Sequence, residues 1–178
     1  GLRIMSELRT NRIVPRDGLP SGSSGGIIQV KMGTFTDRFT TNSATMVDTG
    51  LSVSITPKFA TSKILVNVSL GSFANGTGLK RAFMNIVRDS TNVIVGDADT
   101  GHEVTACVNT RASGYASGTQ IPLSFMVLDS PNTTSAVTYK VQASRGSDSG
   151  DVYLNYPESN DSYGANTAST IVVMEVSA

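Results

Sequence analysis

From Ile27 onward the chain alternates apolar and polar positions in short runs broken by turn residues. LSVSITP (51–57) sets Leu51, Val53 and Ile55 on one side and Ser52, Ser54 and Thr56 on the other. That period of two is the mark of a strand with one buried face. SKILVNVSL (62–70) repeats it with Ile64, Val66, Val68 and Leu70, and VTYKVQASR (137–145) alternates again. IIQVKM (27–32), FTDRFT (35–40), EVTACVN (103–109) and DVYLNY (151–156) are further strand candidates. RAFMNIVRD (81–89) leads through a turn at 90–92 into VIV (93–95), a predicted hairpin. IPLSFMVLD (121–129) is apolar on both faces, which predicts a central or interfacial strand. No segment carries a sustained helical stripe. About ten short strands without a fixed repeat predict an all-β fold, an antiparallel β-sandwich.

STIVVMEV (169–176) is a strand whose two faces are both apolar. Val172, Met174 and Val176 are expected to fill the sandwich. Ile171 and Val173 then point the other way, toward a neighbouring subunit, and are the candidate subunit interface.

Residues 1–25 read differently, as an extended arm ending in a Gly/Ser joint, ahead of a sandwich over 26–178. Leu8, Ile13 and Val14 form no helical stripe, and Pro15 and Pro20 stop a helix. It reads either as a disordered tail or as an arm that orders against a partner, and on the second reading Leu8, Ile13 and Val14 are the candidate anchor.

Composition narrows the functions. Lys and Arg number 14, Asp and Glu 14, so the net charge is zero. The basic residues are dispersed, which argues against nucleic acid as a partner. No apolar run is long enough for a membrane helix, so no membrane insertion is expected. A single cysteine, Cys107, leaves no internal disulfide and suits assembly in a cytosol. His102 is the only histidine, and a strand would put it and Cys107 on opposite faces. No nucleophile elbow and no phosphate loop is present, so no catalytic residue is assigned and no cofactor is expected. Asp97, Asp99 and Glu103 surround Gly101 but lack the full acid set of a calcium loop, so this is read as a solvated loop and no metal site is assigned.

One loop carries a binding composition. YLNYPESNDSYGAN (153–166) holds three of the five tyrosines. Tyr153, Tyr156 and Tyr163, with Asn155, are candidate glycan contacts, flat rings beside hydrogen-bonding groups. The same residues suit a subunit interface or the packing of a long loop.

The blocks FTTNSATMVDTGLSVSITPKFATSKILVNVSL, RAFMNIVRDSTNVIVGD, LSFMVLDSPNTTSAVTYKVQ and ASTIVVMEV, in that order, resemble a β-rich module of tail-fibre and other virion proteins of tailed bacteriophages, marine and cyanobacterial ones above all. MSELRTNRI resembles the short N-terminal segment of such proteins. The strand order is also loosely similar to trimeric jelly rolls of the tumour necrosis factor and C1q type, which implies that the antiparallel β-sandwich is of jelly-roll type. The resemblance implies a non-enzymatic virion component assembled in the host cytoplasm. It would be a homotrimeric tail-fibre or appendage module, tied to other virion proteins by its arm and meeting a host surface glycan or protein. A capsid decoration or head-fibre protein and a glycan-binding module are the alternatives. A polysaccharide depolymerase would need a carboxylate pair at fixed separation, and none is marked by the sequence.

Overall fold

In a computed structural model the alternating runs fold into eleven strands among the described residues. The structure describes residues 26–76, 81–98, 100–110, 120–147, 149–158 and 164–177. The arm over residues 1–25, with Leu8, Ile13 and Val14, lies outside the described residues. In chain order the strands are β1 (Ile27–Phe35), β2 (Phe39–Thr41), β3 (Val47–Ile55), β4 (Lys63–Asn75), β5 (Arg81–Arg88), β6 (Thr91–Asn92), β7 (Cys107–Thr110), β8 (Gln120–Asp129), β9 (Val137–Ser144), β10 (Val152–Leu154) and β11 (Ser169–Val176).

Every pairing is antiparallel. The first sheet runs β1-β11-β4-β8, and β10 and β2 extend it beside the far end of β4. The second runs β3-β9-β5, with β7 and β6 both paired to β5. The chain moves from β1 to β3, β4, β5, β7, β8, β9 and β11. It changes sheet at each step except β5 to β7. Four plus four principal strands in that order form a jelly-roll sandwich.

Period-two alternation delivers the core. Ile64, Val66, Val68, Leu70, Ile171 and Val173 face inward from the first sheet. Leu51, Val53, Ile55, Met84, Ile86, Tyr139 and Val141 meet them from the second. Removing such apolar area from water is the main favourable term in folding. Two sequence expectations shift. VIV (93–95) forms no strand: the turn falls earlier, so Thr91 and Asn92 make the ladder to β5, and the Val93 N–H adds one more bond to the Ile86 carbonyl at 2.9 Å. In EVTACVN only the end is a strand, since Ala106 N–H is taken by the Asn85 side chain instead of a ladder partner.

The β11 faces are also reversed from the expectation. Ile171 and Val173 are fully buried inside one chain, so they are not subunit contacts. Val172, Met174 and Val176 are the half-exposed set. The inward set also contains Glu175, which is fully buried. Its carboxylate accepts hydrogen bonds from the backbone N–H groups of Lys58 (2.7 Å) and Phe59 (3.3 Å) and from Gln29. A carboxylate so satisfied can sit in an apolar interior.

Burial alone would push the Glu175 carboxyl up, but the bonds from Gln29, Lys58 and Phe59 outweigh it and hold it below the ordinary 4.5. A folded value below the unfolded one stabilises the fold above the unfolded value and is lost as pH falls through the folded value. The native protein should therefore lose stability as pH drops below 4.5, and Glu175→Gln should show a shallower acid limb in thermal melts taken across that range.

Candidate functional site

The two sheets expose unlike surfaces. The outer side of the β3–β9 pair in the second sheet is polar: Ser54 Oγ and Thr138 Oγ1 lie 2.8 Å apart, and Lys140 and Gln142 each donate to Asp48 at 2.7 Å. The outer side of the first sheet is apolar, and its register lines residues up in rows across β1, β11, β4 and β8. One row is Val30, Met174, Leu65 and Leu128. The next is Met32, Val172, Asn67 and Met126. Val30 is 52% exposed, Met32 62%, Met126 59% and Leu128 56%. Leu65, Asn67, Val172 and Met174 are half-buried between them.

The rows on either side are polar or mixed. Beyond Met32 come Thr34, Thr170, Ser69 and Ser124, a hydroxyl from every strand. Beyond Val30 come Ile27, Val176 and Lys63, whose ammonium donates to Ser130 Oγ at 2.7 Å. The apolar field is therefore eight positions wide with one amide inside it, and Lys63 is the charge at its border. Cross-strand neighbours on one face of an antiparallel sheet touch directly, so these rows form one continuous surface. The sequence pointed to β11 as an interface strand but through Ile171 and Val173, whereas Val172 and Met174 are the β11 residues on this face. The signal for the rest was the double-sided apolarity of IPLSFMVLD, whose Leu123, Phe125 and Val127 pack on the core while Met126 and Leu128 point out.

The tyrosine loop is used differently from the sugar-binding expectation. Asn155 is buried, with φ of 67°. Its Nδ2 donates to the carbonyls of Phe35 (2.8 Å) and Asp37 (3.1 Å), and its Oδ1 accepts from Ser169 Oγ (2.6 Å). Its amide side chain is occupied by the protein, so it is not a glycan contact. Asn155 instead pins the turn between β1 and β2 to the start of β11. Tyr153 is buried too, and its hydroxyl donates to Asp151 at 3.3 Å. Burial, with the negative charges of Asp151 and Glu158, pushes its phenol up to about 12. Tyr156 meets Tyr153 edge-on with ring centroids 5.2 Å apart, and the Arg38 guanidinium lies 5.1 Å from the Tyr156 ring centroid. Half-buried Tyr156 is thus the one candidate of this group, among the described residues, that reaches the surface. Tyr163 lies outside the described residues.

The remaining polar groups hold the sandwich shut. Asp129, on β8, accepts from Arg88 of β5 and from Tyr139 of β9 (2.7 Å), so one carboxylate ties the first sheet to the second. Burial and this carboxylate push the Tyr139 phenol far above its ordinary range. His102 is exposed on the loop before β7, and burial raises the Cys107 thiol, which disfavours the thiolate. Among the described residues no three of His, Cys, Asp or Glu gather as a metal site; Asp99 lies outside them.

No protein-family model matches the chain, and no curated protein matches it. Solved structures align with it. Over 96% of its length it aligns with 42% of the VP2 chain of a subviral particle of infectious bursal disease virus, at 17% identity and a TM-score of 0.41. A structure of the Gx strain of infectious bursal disease virus aligns over 95% of this chain and 44% of its own, at 12% identity and a TM-score of 0.43. The chain spans less than half the length of these solved chains.

Proposed function

We propose that this chain is a non-enzymatic virion structural protein, a jelly-roll module that works by assembling. The observation that carries the reading is the apolar outer face of the first sheet, seven apolar side chains around one amide, against the polar outer side of the β3–β9 pair. Apolar fields of this extent mark contact with other macromolecules. The side chains of Asn155, Asp129 and Glu175 are spent on internal hydrogen bonds. The ordered sequence blocks resembling phage tail-fibre modules direct the reading to a tail fibre or appendage. The arm over residues 1–25 would dock it to other virion proteins, and a homotrimeric head would meet the host.

The test is position. Antibody against the folded sandwich, applied to intact particles of the virus encoding the chain, should decorate a tail appendage by electron microscopy. Label over the capsid would move the protein to the head-fibre alternative. Absence from purified particles, in both microscopy and mass spectrometry, would end the virion reading.

A further inference from the structure

We infer that the outer face of the first sheet is where a second copy of this chain packs, with Asn67 setting the register of the contact. This deepens the assembly reading above and rests on it. Extent is the first argument. Ile27, Val30, Met32, Met126 and Leu128 are all more than half exposed, and at about 100 Å² apiece they present roughly 500 Å² of apolar surface. The half-buried Leu65, Val172, Met174 and Val176 and the hydroxyl row add to it. A stable interface takes about 800 Å² from each partner, and this face with its rim approaches that area.

Charge selects the occupant. The two central rows hold no acid and no base, and Lys63 at the border is engaged by Ser130. A charged face repels its own copy, whereas this one meets itself without penalty. A foreign partner selected by charge would find nothing here to read. Asn67 is both donor and acceptor, so it can pair with the same residue or with the hydroxyl row of another copy. Once covered, an amide in an apolar field must find a partner, and that requirement admits few registers. The competing occupant is the chain's own arm over residues 1–25, folded back in cis.

The experiment uses the full chain with Cys107→Ser, so that an introduced thiol is alone. Asn67→Cys should join two chains through a short bismaleimide, while Ser54→Cys on the polar face of the other sheet should not. Leu128→Asp should keep the far-ultraviolet spectrum of the native chain while its self-dissociation constant rises about thirtyfold or more. If Leu128→Asp fails to fold, Met126→Ser is read in its place, with the same outcome expected in a smaller degree. A monomeric native chain overturns the inference. So does an oligomer that survives these substitutions, or Asn67→Cys chains that stay unlinked as a cis arm would leave them. The two readings fail separately. A monomer that still labels the particle removes the self-contact and keeps the virion role, and a cross-linked oligomer absent from particles does the reverse.

Discussion

Val173→Asp is expected to leave no folded protein, and Met174→Asp, one residue along, to leave a folded chain that no longer assembles. The two side chains share a strand and differ in face. Val173 is fully buried in the sandwich, opposite Val66 across the ladder and within the same core cluster as Ile64 and Ile171. A carboxylate there would sit among the apolar side chains of the core, whereas Glu175, two residues on, is met by the backbone N–H groups of Lys58 and Phe59. The charge, or the protonation that avoids it, with the lost apolar packing, costs several kcal/mol. Native stabilities are only about 5–15 kcal/mol, so the core does not absorb that loss. Met174 is half-exposed on the outer face between Val30 and Leu65. A carboxylate there stays in water in the single chain and repels only a covering copy. Circular dichroism with light scattering separates the outcomes. If both variants lose structure, the outer face is part of the core of one chain. If Met174→Asp folds and keeps its oligomer, assembly uses another surface.

Gly33→Val should be the most damaging change in β1. A Cβ at Gly33 would stand 2.0 Å from the Ser52 carbonyl oxygen and 3.1 Å from Ile171 Cγ2. The obstacle is backbone, which cannot rotate away as a side-chain tip can. The glycine is needed there because β1, at the edge of the first sheet, closes onto β3 at the edge of the second. A branched side chain would pry this seam open and lift β1 from β11. Overpacking of this kind costs about 3 kcal/mol or more, which for a chain of this size lowers the melting midpoint by about 10 °C. A variant melting with the native protein would mean that the two sheet edges do not meet at this glycine.

The strands were legible because alternation is local: the phases of LSVSITP, SKILVNVSL and VTYKVQASR each put the same residues inward that the fold buries. The phase of β11 was not, because both of its faces are apolar and one also carries Glu175. An acid in the set argues for the outside unless its donors are known. Those donors, the N–H groups of Lys58 and Phe59, sit more than a hundred residues earlier in the chain. Asn155 hid its role for the same reason, since its partners Phe35 and Asp37 come from the opposite end of the sequence. Beside three tyrosines it read as a surface amide, and it is a buried strut. The outer apolar face could be seen only in part, because a sequence shows strand faces one at a time. It takes the register across β1, β11, β4 and β8 to bring Val30, Met174, Leu65 and Leu128 into one row.

The central claim is that the fold is complete in one chain and the apolar sheet face is for assembly. The most direct test is the mass of the native full chain by light scattering at micromolar concentration. A closed oligomer is expected, an integer multiple of 18.6 kDa, with three copies expected from the loose similarity to trimeric jelly rolls of the tumour necrosis factor and C1q type. A well-folded species of 18.6 kDa that persists as concentration rises would contradict it.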